Sequence, residues 1–163
     1  MHMRAGGKAQ FEDLDVRQVL GERRAGARVL DAGCGLGHGL QALRQAYPQA
    51  QLEGIEWSWP LRLAGAWRCP WARVRQGDIW RADWRDYDLV YLFQRPESMP
   101  RALAKARAEM RAGSWLVSLE FEAREAQATA VLRLPDGRPV WAYRCPPAVA
   151  HSANPPARRA RPE

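Results

Sequence analysis

Between Val29 and Gly39 the sequence reads VLDAGCGLGHG, with Gly33, Gly35 and Gly37 at alternate positions directly after a strand-like run and directly before a helical one. A strand that runs through a glycine-rich turn into a helix is the opening unit of an open α/β sheet. The glycines let the backbone come close to a ligand, and the helix beyond them presents free N–H groups. The dinucleotide fingerprint G-x-G-x-x-G would need glycine where His38 or Leu40 stands, so that motif is absent.

The rest of the chain continues the alternation expected of a mostly parallel sheet covered by helices. Strands are predicted over Arg28 to Asp31, Gln51 to Glu56, Ala72 to Arg75, Asp88 to Phe93 and Trp115 to Phe121. The fourth is apolar enough to be central and buried on both faces. Helices are predicted over His38 to Tyr47, where Pro48 stops the pattern, over Pro60 to Arg68, and over Glu97 to Arg111, closed by Gly113. Thr129 to Leu134 and Pro139 to Arg144 flank the turn Pro135-Asp136-Gly137-Arg138 and predict an antiparallel hairpin on the sheet edge. Ahead of the first strand, Phe11 to Leu20 predicts one amphipathic helix, and residues 1–27 are assigned to an N-terminal extension. From Pro146 onward the chain holds five of its 12 prolines and almost no large apolar side chain, so residues 146–163 are expected to be a disordered tail. The fold is thus expected to be one α/β domain over residues 28–145.

Composition removes several classes of function. A chain of 163 residues, 47% apolar and 26% charged, has the makings of one domain with a real core. Its longest unbroken apolar run, Leu89 to Phe93, is far short of the ~20 residues of a membrane span, and the first residues lack the hydrophobic stretch of a signal peptide. A cytoplasmic location without membrane contact is the expectation. Cys34, Cys69 and Cys145 fit neither a disulfide framework nor a zinc site, and His2, His38 and His151 have no metal-ligand spacing, so no metal is expected. The net charge of +7 comes from 25 basic residues that are nearly all arginine and scattered along the chain. Without clustering on a face, this charge does not argue for nucleic acid.

Three acids follow one another at the ends of the first three strands. Asp31 precedes the first glycine by two residues, and a carboxylate there suits a cofactor carrying positive charge, such as the amino and sulfonium groups of S-adenosylmethionine, better than a pyrophosphate. Glu56 closes the second strand about 20 residues after the glycines, where a carboxylate can accept hydrogen bonds from both ribose hydroxyls. Asp78, in Gln76-Gly77-Asp78-Ile79-Trp80, can accept from an adenine amino group while Ile79 covers one face of the ring and Trp57 the other. Cys34 is expected to pack beneath the turn rather than act as a nucleophile.

These residues together resemble the class I S-adenosylmethionine-dependent methyltransferases, over roughly Arg28 to Phe121. The resemblance implies a doubly wound, Rossmann-like, mostly parallel sheet, with a C-terminal antiparallel hairpin. The cofactor would bind at Asp31, Gly33, Gly35, Gly37, Glu56, Trp57, Asp78 and Ile79. The run from Gly77 to Trp80, then Tyr87 to Phe93, Pro96, Met99 and Gly113 to Ser118, is similar to the small protein-lysine methyltransferases, which have archaeal members and mitochondrial members acting on ATP synthase c-subunit and adenine nucleotide translocase. Leu36 departs from that subfamily, which usually carries an acid inside the glycine loop.

Methylation of a lysine ε-amine on a protein by direct displacement is therefore expected, with a substrate rim at Phe93, Arg95 and Pro96. Phe93-Gln94-Arg95-Pro96 is unlike the Asn/Asp-Pro-Pro-Tyr/Phe run that grips the amino group of a base, which disfavours nucleic acid. Short connections between strands predict an open rim. A small-molecule methyltransferase and a non-catalytic S-adenosylmethionine-binding module are the alternatives, and no catalytic residue is assigned.

Overall fold

The structure is a computed structural model and describes residues 25–147. The predicted helix over Phe11 to Leu20 lies outside them, as does all of the tail beyond Pro147.

Seven strands form one sheet: β1 (Arg28–Ala32), β2 (Gln51–Glu56), β3 (Arg73–Gln76), β4 (Leu89–Leu92), β5 (Trp115–Leu119), β6 (Ala130–Arg133) and β7 (Pro139–Arg144). Their spatial order is β3-β2-β1-β4-β5-β7-β6. The first five are parallel, and β7 runs antiparallel between β5 and β6. Among the described residues three α-helices cover the sheet: α1 (His38–Ala46), α2 (Trp59–Arg68) and α3 (Met99–Glu109). The chain order reverses at β1, between β2 and β4, which is where an open α/β sheet opens a crevice beyond the carboxyl ends of its strands.

Hydrophobic pattern explains both layers. Every residue of β4 and β5 is buried, as strands covered on two faces require. On one side Leu40 and Leu43 of α1 pack with Val29, Leu52 and Val74. On the other, Met99, Ala102, Leu103 and Ala106 of α3, spaced as one helical stripe, pack with Leu30, Val90 and Leu116. Helices on both faces make the sheet doubly wound, and the hairpin closes its far edge.

Several predicted boundaries shift for local reasons. The third strand begins at Arg73 rather than Ala72, because the Ala72 N–H turns back to the Cys69 carbonyl at 3.0 Å. Pro96 opens a short 3-10 turn, Pro96–Ser98, so α3 starts at Met99, two residues after Glu97, and ends at Glu109 instead of Arg111. The fifth strand stops at Leu119, short of Phe121, because Glu120 has φ 73°, a left-handed conformation that breaks the ladder. No helix among the described residues is long and apolar enough to cross a membrane.

Candidate active site

The glycine turn is stitched to the end of β2. The N–H groups of Gly33 and Cys34 both donate to the Ile55 carbonyl, at 2.8 and 3.0 Å. The Gly35 N–H donates to Oε2 of Glu56 at 2.8 Å, and the Ser58 N–H donates to Oε1 at 3.1 Å. Each Glu56 oxygen thus takes one backbone donor, which fixes the carboxylate's orientation and leaves lone pairs for a ligand. Beyond β3, Oδ1 of Asp78 accepts the Trp80 N–H at 2.9 Å, while Oδ2 takes no donor from the described residues.

Two cavities open here and share Gly33. The smaller, of about 390 Å³, is lined by Glu56, Trp57, Asp78, Ile79 and Gln94. The larger, of about 780 Å³, has Asp31, the residues around the glycine turn, and Tyr91 and Phe93 in its wall. Both volumes fall in the ~300–1,000 Å³ range of small-molecule sites.

Asp31 is 3% exposed, and its carboxylate takes no hydrogen bond from the described residues. Burial, and then the charge of Glu56, push its carboxyl up to about 7. The backbone of Gly39 crowds it: a Cβ at that position would come within 2.5 Å of Asp31 Oδ2 and 2.9 Å of the Tyr91 ring. A buried acid with no donor, facing a cavity, is an environment that a cation relieves. The Cys34 thiol, pushed up to about 12 by burial and by Asp31 and Glu56, stays protonated near neutral pH. It packs against Gly54 at the wall of the larger cavity, and as a protonated thiol it is a poor nucleophile there.

The expected site residues do not all converge. Gly33, Glu56, Trp57, Asp78 and Ile79 share the smaller cavity, and Asp31, Gly33, Gly35 and Phe93 share the larger. Gly37 lines neither; it caps α1 with φ 90° and packs against Cys69, where a Cβ would meet the sulfur at 2.8 Å. Arg95 and Pro96 line neither cavity, and Pro96 instead begins the turn into α3.

Two contributors, Gly39 and the hairpin turn, were not expected from the sequence, and Gln94, inside the expected rim run Phe93 to Pro96, takes a place that was not assigned to it. Gln94 brings its side-chain amide so close to Gly33 that a Cβ there would lie 2.5 Å from Gln94 Nε2. Gly39 makes room for Asp31. The hairpin turn does more than close the sheet edge, since Leu134, Pro135 and Arg138 form part of the wall of the larger cavity. Only the hairpin carried a usable signal, the charged turn Pro135–Arg138 between two strands. Among the described residues no group of three or more His, Cys, Asp or Glu could hold a metal ion.

A doubly wound seven-stranded sheet with its last strands in a reversed hairpin, a glycine turn after β1, acids in the last residues of β1 and β2 and an acid just after β3 defines a class I S-adenosylmethionine-dependent methyltransferase. Residues 31–130 match the family described as the ANTKMT methyltransferase domain, and the chain belongs to that family. S-adenosylmethionine is its cofactor. The buried Asp31 carboxylate, with no donor among the described residues, fits the cofactor's cationic end, and the remaining lone pairs of Glu56 and Asp78 fit its hydroxyl and amino donors.

Among curated proteins, trans-aconitate 2-methyltransferase of Deinococcus radiodurans is 37% identical over 103 residues, 61% of this chain. The chain spans about 40% of that relative's length. Among solved structures, an RNA methyltransferase from Salinibacter ruber in complex with S-adenosyl-L-homocysteine aligns with TM-score 0.68 at 19% identity, covering 88% of this chain and 97% of that one. A TehB-like SAM-dependent methyltransferase from Corynebacterium glutamicum aligns with TM-score 0.55 at 18% identity, covering 80% and 86%. At these identities the structural likenesses establish the fold alone.

Proposed function

We propose that the chain methylates an amine acceptor, a lysine ε-amine on a protein, bound in the larger cavity next to the cofactor. The observation that carries this reading is that the two cavities meet at Gly33, one with the acids suited to ribose and adenine, the other walled by Tyr91, Phe93 and the hairpin turn. When bound, the cofactor supplies a methyl group on a sulfonium sulfur, activated for displacement. Glu56 would hold the ribose and Asp78 and Ile79 the adenine, with Trp57 on the ring's other face. Asp31 would balance the cationic end.

The chain's part in the reaction is then positioning, which can supply roughly 7–11 kcal/mol of the barrier. The Tyr91 phenol is held well above its ordinary range by burial and by Asp31, so it does not accept the amine's proton near neutral pH. That proton leaves to water before attack, as free amine is the nucleophile. Exposed Phe93 and Leu36, both in the cavity wall, support an open rim reachable by a side chain on a protein surface.

A second reading is favoured by one residue. Arg138 brings a fixed positive charge to the acceptor cavity and is only partly engaged by Asp136, at 2.8 Å. A carboxylate-bearing small molecule would pair with it, and the curated relative is named for such an acid. Incubation with S-adenosylmethionine labelled on the methyl group and a cell lysate separates the two. Label mapped by mass spectrometry to protein lysine supports the first reading; label in small acids alone rejects it and supports the second.

A further inference from the structure

The helix after β2 has an outer face that nothing in the described fold covers. Trp59, Leu63 and Trp67 of α2 recur at every fourth residue, so they fall along one stripe. They are 62%, 48% and 85% exposed. Helical spacing places Arg62 beside that stripe, next to Trp59, while Arg68 turns towards α1, its guanidinium 3.5 Å from Gln41 Oε1. The opposite face of α2 is anchored by Gly65, where a Cβ would sit 2.8 Å from the Gly35 carbonyl oxygen. The helix is therefore held by close backbone approach on its inner side, with its large apolar side chains turned outward.

The surrounding sequence carries a uniform charge. From Trp57 to Gly77 the chain has four Trp, four Arg and no Asp or Glu. Arg44 of α1 adds a further cation at the margin, its guanidinium 4.7 Å from the Trp71 ring. A second copy of the chain would bring arginines against arginines, with no acid in this stretch to pair with them. A single-stranded nucleic acid would use the rings as stacking platforms, but the aliphatic Pro60 and Leu63 between them give bases nothing to stack on. Tryptophan and aliphatic side chains flanked by arginine are what the headgroup boundary of an anionic bilayer accepts: rings and Leu enter the acyl boundary while guanidiniums stay with lipid phosphates.

We propose that the outer face of α2 docks on the surface of an anionic lipid bilayer through Trp59, Leu63 and Trp67. The helix lies in the interface and does not cross it. Leu61, which lines the larger cavity, falls on the Gly65 side of the same helix, so the docked face and the cavity lie on opposite sides of α2. The proposal does not depend on which acceptor is methylated.

The full chain is sedimented with vesicles of phosphatidylcholine alone and of phosphatidylcholine and phosphatidylserine in equal parts, alongside Leu63→Ser/Trp67→Ser. Both positions are exposed and line neither cavity, so S-adenosylhomocysteine affinity and melting temperature report whether the variant is folded. The parent is expected to sediment with the phosphatidylserine vesicles and far less with the neutral ones. The variant's partition should fall by roughly tenfold for each anchor removed. Should the pair fail to fold, Trp67→Ser alone carries the same expectation at one anchor. A parent that stays in the supernatant, a folded variant that sediments as well as the parent, or equal binding to both vesicles overturns the proposal. So does a folded parent that instead self-associates or captures single-stranded RNA through this stripe.

Discussion

The carboxylate of Glu56 accepts the backbone N–H of Gly35 at 2.8 Å, joining the end of β2 to the glycine turn that follows β1. The same acid that is suited to a ribose therefore also sets the shape of the loop over which the ligand lies. Gly65 approaches that loop from the other side, against the Gly35 carbonyl. The turn is clamped between an acid and a helix, and the cavities on both sides of Gly33 depend on the clamp.

Gly65→Ala should loosen it. The added Cβ would lie 2.8 Å from a backbone oxygen, which cannot swing aside as a side chain could. Overpacking of this kind costs ~1–3 kcal/mol, or a fall in melting temperature of about 2–4 °C for each kcal/mol. Cofactor affinity should weaken with it. A variant that melts and binds as the parent does would show that α2 can retreat from the turn freely.

Asp31 predicts a pH dependence of defined sign. Burial and the nearby Glu56 charge raise its pKa from 3.8 to about 7 in the folded chain, so between those values the native state holds a proton that the unfolded chain has lost. Stability of the cofactor-free protein is fully present below the lower value and declines as pH rises through the upper one. Asp31→Asn should therefore raise its melting temperature at about pH 8. A cationic ligand favours the carboxylate, so cofactor affinity should tighten as pH rises towards about 7 and then level off, and this dependence should vanish in Asp31→Asn. Titrations across pH that are flat in the parent would contradict the assignment of Asp31 to the cofactor's cationic end.

The parts of the fold most legible in the sequence were those set by local pattern. The strand-glycine-helix unit at Val29 to Gly39, the all-apolar β4 and the stripe Met99, Ala102, Leu103 and Ala106 each follow from side-chain spacing. What escaped depends on contacts distant in sequence. Gln94 reaches Gly33 because β4 pairs beside β1 with Leu92 opposite Ala32, a register that no local pattern encodes. Arg138 reaches the cavity because β7 crosses back beside β5, which brings the hairpin turn to the ligand end of the sheet. Arg95 and Pro96, next in sequence to Phe93, were reasonable rim residues only if the strand had continued; Pro96 starts a helical turn instead.

The acceptor readings differ in their kinetics. An unperturbed lysine has pKa ~10.4, so methylation of a lysine should accelerate by about tenfold per pH unit between about pH 7 and 9. A carboxylate acceptor is already ionised there and should show no such climb. Arg138→Ala should raise KM for a small acid with kcat little changed, and should leave lysine methylation nearly untouched. A flat profile together with an Arg138-dependent KM would reject the lysine reading.

The direct test of the site is calorimetric titration of S-adenosylmethionine into the parent chain, Glu56→Ala and Asp78→Ala. Each lost charge-assisted hydrogen bond should cost ~1.5–3 kcal/mol, so each variant is predicted to bind at least roughly tenfold more weakly while still folding. Affinity unchanged from the parent in both variants would contradict the placement of the cofactor between β1, β2 and β3.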